Sequence, residues 1–362
     1  MKFSVCIPNY NYGRYIGETI RSVLAQDAEF EVLVADNAST DDSVLRVTEI
    51  ADPRIRLHRN RWNVGFAGNL DRACQAATGD RMILLSSDDL AGPAALATYA
   101  RLAAALGPAA GTAVFCSDQH VIDGDGKTTG HAELDARQWA DARPHAELST
   151  AVGARIVAVP ARSLLRRALL HLRTPMAFAT TCYPRSLYEA VEGYGGGSLV
   201  NPDKYFVWKI LSVAEHVYYV DQPLFSYRVH AANQNSLQRS SGALKHLVDQ
   251  YRATFDTAPE VLAAAGLTKD DLARAFIEHD VVLRGLKSVA EGERTLARRH
   301  YDFGRSTYPA LLAASRRARL LRAALWLGPI GTALARRRLE SALASYRQGG
   351  FVDDDRRAPA HG

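Results

Sequence analysis

The sequence is short of cysteine: Cys6, Cys74, Cys116 and Cys182 are all it has in 362 residues. They stand far apart with no C-x-x-C pair, which argues against a zinc site or a disulfide framework and for a reducing cytoplasm. Cys6 and Cys182 lie in apolar runs and read as core residues. No run of roughly eighteen uncharged apolar residues occurs, so no membrane-spanning helix is expected. The opening Met1–Pro8 lacks the long apolar stretch and cleavage site of a secretory signal and reads as a first strand. Internal repeats are missing as well. What remains is a cytoplasmic globular protein with one large domain and a smaller one appended.

Arginine is concentrated toward the C-terminal end. From Arg316 to Arg347 there are eight arginines against a single acid, Glu340, an excess of +7 where the whole chain carries +5. The basic signal therefore belongs to the C-terminal region and not to the surface at large.

Residues 1–120 alternate short apolar runs with helical patterns. Phe3–Ile7, Glu31–Ala35, Ile55–His58, Arg81–Leu85 and Ala113–Cys116 read as strands, and Arg14–Ala25, Ser43–Ile50, Ala67–Ala77 and Ala94–Ala105 as helices, with Pro93 at a first helical position. This alternation predicts βαβ units and a parallel sheet with ligands beyond the strands' carboxyl ends. Gly124-Asp125-Gly126 reads as a turn, His131–Pro144 as a polar, mobile segment, and Ser163–Leu172 as an amphipathic helix. Strands are expected near Phe178–Tyr183 and His216–Val220. From Ser240 onward nearly everything reads as helix: Leu244–Thr254, Asp270–Ala290, Glu293–Tyr301, Ala310–Trp326 and Thr332–Tyr346.

Asp88-Asp89 follows the strand Met82–Leu85 directly. Two adjacent carboxylates at such a strand end repel an anion unless a divalent cation sits between, as Mg2+ or Mn2+ does when it joins one or two carboxylates to substrate phosphates. A solvated turn that caps the next helix is the alternative. Asp36 ends the second strand, where a carboxylate accepts from a base N–H or ribose hydroxyls; the Ser39–Asp42 cluster after it reads partly as the cap of the helix from Ser43.

In this order the motifs resemble the donor half of inverting family 2 glycosyltransferases, which have the GT-A fold. Pro8-Asn9-Tyr10-Asn11 matches the family's Pro-x-Tyr-Asn, and Asp36 to Asp42 its acidic strand end and turn. Asn63-Val64-Gly65, then Gly79, match its Asn-x-Gly segment and the glycine before the fourth strand. Asp88-Asp89 matches its carboxylate cluster, although Ser86 and Ser87 stand where many members carry a further Asp. The resemblance implies that Pro8, Tyr10, Asn11, Asp36, Asn63, Gly65 and Asp88 bind the nucleotide-sugar, with Asp88 facing the ribose and Asp89 a metal.

The resemblance continues to about residue 236. Asn201-Pro202-Asp203 matches the family's catalytic-base segment and implies Asp203 as base; the same residues also make a well-formed helix start. Asp221 and Glu215 are rival carboxylates. Tyr227-Arg228-Val229-His230, with Asn233 and Ser236, matches the end of the family's catalytic domain. It implies His230 as a further metal ligand or diphosphate contact, and Arg228 as the partner of a phosphate or an interior acid.

The expected organisation is a catalytic domain over 1–238, with a donor half at 1–120 and an acceptor half at 121–238. A helical region at 239–350 and a disordered tail at 351–362 follow. The expected function is Mn2+- or Mg2+-dependent inverting transfer from a nucleotide-sugar, UDP-linked by family habit, to a saccharide or lipid-linked saccharide. The alternatives are a non-catalytic nucleotide-sugar or saccharide-binding protein and a sugar-phosphate nucleotidyltransferase. The latter wants a Gly- and Arg-rich loop that Pro8–Gly13 does not provide. Leu320–Leu334, with Trp326 and flanking arginines, has the character of an interfacial segment suited to the inner face of an anionic membrane, or else of a helix packed with a solvated Arg face. No nucleic-acid module is evident, so no nucleic-acid partner is expected.

Overall fold

A computed structural model describes residues 1–132, 135–194, 202–230 and 243–337. The described residues fall into two compact units. One takes those from Met1–Leu169, Arg173–Ser240 and Thr257–Leu267; the other takes those from Leu170–Leu172, Ser241–Asp256 and Thr268–Gly362. The proposed tail at 351–362 lies outside the described residues, as does Asn201.

The first unit is built on one sheet. Its strands are β1 (Lys2–Asn9), β2 (Glu29–Asp36), β3 (Ile55–Arg59), β4 (Arg81–Leu84), β5 (Leu90–Ala91), β6 (Ala113–Ile122), β7 (Thr128–Ala132), β8 (Arg143–Pro144), β9 (Ile156–Pro160), β10 (Cys182–Pro184) and β11 (His216–Arg228). Their order is β3-β2-β1-β4-β10-β6-β11-β9-β8, with β5 on β11 and β7 on β6. β3, β2, β1 and β4 pair in parallel, as do β6 and β11. β10 runs antiparallel to both β4 and β6, so the sheet is mixed and not wholly parallel. β1 and β2 are buried along nearly their whole length because helices cover both faces, which is why they read as apolar runs without alternation.

The crossovers follow from spacing. Helix α1 (Gly13–Leu24) buries Ile16, Ile20 and Val23, a four- and three-residue rhythm that faces one side to the sheet. Helices α2 (Ser43–Thr48) and α3 (Gly65–Gln75) make the second and third crossovers. Gly79 has no substitute here: a Cβ would lie 2.7 Å from the Ser4 nitrogen and 2.8 Å from the Lys2 carbonyl. Helix α4 (Ala95–Leu106) starts two residues later than Pro93 suggested, because Gln26 Oε1 accepts from the Leu96 N–H at 3.0 Å and supplies the missing cap. Arg81 is buried beneath this layer. It donates to the carbonyls of Ala110 (2.7 Å), Ala113 (2.7 Å) and Cys182 (3.1 Å) and lies over the Phe115 ring. All four cysteines are buried and unpaired.

The middle of the chain departs most from expectation. The polar segment His131–Pro144 is not simply a mobile loop among its described residues. β7 pairs with β6, β8 with β9, and Trp139 is buried with its indole N–H donating to the Pro175 carbonyl at 2.9 Å. Helix α5 (Ala146–Val152) and strand β9 follow, then helix α6 (Ala161–His171). The strand expected over Phe178–Tyr183 is mostly a 3-10 turn, Phe178–Thr180, held by Thr180 and Thr181 hydroxyls on the Ala177 carbonyl. Only Cys182–Pro184 is strand. Helix α7 (Arg185–Ala190) leads toward helix α8 (Pro202–Val213), and β11 runs on to Arg228, well beyond the expected Val220.

The second unit is helical among its described residues. Ala243–Asp256, Lys269–Phe276, Arg284–Ala290, Arg294–Thr307, Pro309–Ala314, Arg316–Trp326 and residues 329–337 are helices. The segment Asp270–Ala290 is continuous, as its pattern suggested, but widens into a π-helix over Ile277–Leu283. The expected helix Ala310–Trp326 is broken at Ser315, whose hydroxyl accepts from the Ala318 N–H and starts a new helix. Tyr251, Phe276, Phe303 and Tyr308 pack ring against ring in its core.

Candidate active site

Because β1, β2, β4, β6 and β11 point the same way, their carboxyl ends share one edge. Asp88 and Asp89 lie there, in the short turn between β4 and β5. β5 pairs with Phe225 and Ser226 of β11, which brings the turn against the end of that strand. Both carboxylates are buried, at 6 % and 1 % exposure.

Each has its own partner. Asp88 Oδ2 lies 3.0 Å from His230 Nε2, while Asp89 Oδ1 accepts the backbone N–H of Arg228 at 2.9 Å. Burial, and then the charge of Asp88, push Asp89 well above the usual carboxylate range. The His230 ring rests on Tyr15 (4.6 Å) and beside Tyr12 (5.9 Å). Arg228 is buried. Its guanidinium donates to the carbonyls of Asp88, Asp123 and Gly124 and to Glu18 of α1, whose side chain is half exposed, so its acid partner is not an interior one. Ser87, one of the two serines in place of a further Asp, is structural: its hydroxyl donates to the Pro8 carbonyl at 2.6 Å.

The ends of β1 and β2 form the second part. Asp36 is 1 % exposed; its Oδ1 accepts from Asn9 Nδ2 (2.8 Å) and its Oδ2 from the Ser39 N–H (3.0 Å). Asn9 Oδ1 is buried without a hydrogen-bond partner, an expensive state for an amide oxygen. Asn11 sits at φ 58°, a left-handed turn that asparagine tolerates, and its Oδ1 accepts from the Thr40 N–H. Tyr10 is 44 % exposed at the rim. The expected cap of α2 is differently made. Asp42 forms no side-chain cap, whereas Asp41 accepts from Ser43 N–H and from Gly13 N–H, joining the starts of α2 and α1.

Asn63 and Gly65 are tied in through Asn37 and Asn60, which follow the second and third strands, and through Asn69, which the sequence does not single out. Asn37 donates to Asn63 Oδ1 and the Gly65 carbonyl and accepts from Val64 N–H and Asn60 Nδ2. Asn69 then bridges Asn60 to the Ala35 carbonyl. The signal was present as asparagines at both strand ends and inside α3, but single asparagines at turns are commonplace.

Asp203 is half-buried in the first turn of α8. That helix of 12 residues spans about 18 Å and ends two residues before β11 starts. Its charge is among the influences, after burial, that push the Tyr194 phenol up. The rivals are less well placed. Glu215 is exposed at the amino end of β11, and Asp221 is paired with Arg155 at 2.6 Å.

The donor set suits a hard cation in part. Asp88 and His230 present adjacent oxygen and nitrogen atoms at the strand end. Among the described residues no group of three or more His, Cys, Asp or Glu is arranged to hold a metal alone. An ion here would take oxygens from a bound diphosphate, the habit of Mg2+ and Mn2+.

A mostly parallel sheet flanked by helices, with acids recessed at its carboxyl edge and a helical C-terminal region, is the GT-A arrangement of glycosyltransferases. Residues 4–171 match the family model described as Glycosyl transferase family 2. It is 39 % identical over 88 residues to UDP-Glc:alpha-D-GlcNAc-diphosphoundecaprenol beta-1,3-glucosyltransferase WfgD of Escherichia coli, covering 24 % of this chain and 35 % of that protein. It is 37 % identical over 99 residues to the uncharacterized protein MT1568 of Mycobacterium tuberculosis, covering 27 % of this chain and 31 % of that one. The chain thus spans about a third of the length of these curated relatives. The crystal structure of S. aureus TarS 1-349 in complex with UDP-GlcNAc superposes with a TM-score of 0.60 at 19 % identity, over 98 % of this chain and 93 % of that one.

Proposed function

We propose that the protein transfers a glycosyl group from a nucleotide-sugar, a UDP-sugar foremost, to a hydroxyl of a saccharide or lipid-linked saccharide, with inversion, in a single displacement. The observation that carries this reading is the paired arrangement at the sheet edge, Asp88 with His230 and Asp89 with Arg228, beside the recessed Asn9–Asp36 pair. The names of WfgD and of the TarS complex both include a UDP-sugar, which supports the choice of nucleotide.

Asp36 and the unpartnered Asn9 Oδ1 form the base end of the donor site, where a donor N–H or hydroxyl completes the amide oxygen. Pro8, Tyr10, Asn11, Asn63 and Gly65 shape its walls. The pairing favours Asp88 with His230, in place of the Asp89 that the resemblance implied, as the pair that faces a cation, while Asp89 is held by the Arg228 backbone N–H. A divalent cation, Mn2+ or Mg2+, supplies positive charge to the departing diphosphate when bound. Asp203 takes the proton of the acceptor hydroxyl as its oxygen bonds to the anomeric carbon and the bond to the nucleoside diphosphate breaks. The place of action is the cytoplasmic face of an anionic membrane.

The test is a panel of nucleotide-sugars with manganese, magnesium or EDTA, on the wild type and on Asp88→Asn and Asp203→Asn. The reading expects release of nucleoside diphosphate that needs metal and both carboxylates. Turnover untouched by EDTA and by Asp88→Asn removes the metal assignment. Full turnover in Asp203→Asn removes the base.

A further inference from the structure

The helical unit carries an outward face that the sugar-transfer chemistry does not use. Along Arg316–Trp326 the buried positions are Ala318, Leu321, Ala324 and Leu325. The other side presents Arg316, Arg319, Leu320, Arg322, Ala323 and Trp326 to solvent. Trp326 is 83 % exposed, and the helix that follows adds Ile330 at 65 % and Leu334 at 51 %. Leu320, Ala323 and Trp326 recur every three residues along the first of these helices, and Ile330 and Leu334 stand four apart on the next, beyond the break at Leu327-Gly328, so the exposed apolar groups line one side of each helix.

Charge decides what this face fits. Between Asp302 and Glu340 the sequence contains no acid, and it contains eight arginines. A second copy of the same face meets it with like charge, which disfavours self-association. No helix among the described residues is long and apolar enough to cross a bilayer. An amphipathic surface with arginines around exposed tryptophan and aliphatic side chains matches the interface of an anionic bilayer. There the ring and aliphatics enter the headgroup boundary and the guanidinium groups meet phosphates.

We infer that the face formed by Arg316, Arg319, Leu320, Arg322, Trp326 and Ile330 docks the protein on an anionic phospholipid surface. The inference rests on the membrane-face placement proposed above and specifies its surface. Electrostatic attraction brings the unit to the membrane, and Trp326 with Ile330 and Leu334 anchors it. Each arginine near such a surface contributes about 1 kcal/mol at physiological salt.

The experiment is co-sedimentation of the full chain with vesicles of phosphatidylcholine alone and of phosphatidylcholine mixed with phosphatidylglycerol. The expected result is binding to the mixed vesicles only, weakened by salt. Arg319→Gln with Arg322→Gln should weaken it by roughly thirtyfold. Trp326→Ser should lower binding and abolish a blue shift of tryptophan emission on the vesicles. Equal binding to both vesicle types, no binding to either, or unchanged binding by both variants overturns the inference. So does a concentration-dependent dimer that Trp326→Ser dissolves, or capture of an acidic protein that excludes vesicles. Release of nucleoside diphosphate, measured in the same variants without vesicles, should equal the wild type. Its loss in the wild type strikes at the sugar-transfer reading and leaves vesicle binding to be judged separately.

Discussion

The carboxyl edge of the sheet and the outward face of the helical unit use the same residue types in opposite ways. At the edge, charged groups are buried and satisfied: Arg228, 1 % exposed, is spent on three carbonyls and Glu18. On the helical face, arginines stand in solvent beside an exposed tryptophan. A buried charge persists only where geometry satisfies it, so the edge is a fixed site. An exposed apolar face ringed by like charge contributes little to folding, so its reason lies outside the unit.

Substitutions should separate the two regions sharply. The largest effect belongs to Asp203→Asn, which should lower turnover about a thousandfold with the melting temperature nearly unchanged. Arg81→Met comes next. It strips donors from three carbonyls, two of them buried, and should cost about 3 kcal/mol, read as a lower urea midpoint. Asp88→Asn should slow transfer about a hundredfold and raise the metal concentration needed for half-maximal rate.

Acid should expose a further difference. Burial alone would raise Glu31, but hydrogen bonds from Ser4, Thr78 and Lys2 outweigh it and bring the carboxyl to about 2. A carboxyl lowered by folding stabilises fully above its unfolded value near 4.5, and that stability is lost as pH falls toward 2. Urea titrations between those limits should show about 2 kcal/mol of pH-dependent stability that Glu31→Gln removes. The smallest effect is Trp326→Ser, which should move stability by less than about 0.5 kcal/mol in the absence of lipid. A large loss there would mean that the ring packs within the protein and would erase the contrast.

How much could be read beforehand varied along the chain for physical reasons. β1, β2 and β4 were legible because strands covered on both faces are apolar runs bounded by turns, and the edge strand β3 because it alternates. The end of β11 was not, since Pro223 and two register shifts interrupt its pattern. β10 escaped because a strand of three residues has no periodicity, and Trp139 because a single aromatic in a polar segment does not announce burial. Of the candidate site, the acids at strand ends could be named from sequence. Their pairing could not, because Asp88 meets His230 and Asp89 meets Arg228 across about 140 residues of chain. The asparagine network from Asn37 to Asn69 was hidden in plain turn composition.

That long separation has a consequence for how the protein is made. The segment through residue 171 that matches the family model contains both carboxylates but not the strand that fixes them. Domains form from the amino end as synthesis proceeds. A nascent chain that has emerged only that far holds two neighbouring acids without Arg228 or His230, and so without their partners. The donor edge is therefore drafted early and closed late: the ribosome must deliver β11 before the turn after β4 has its final shape.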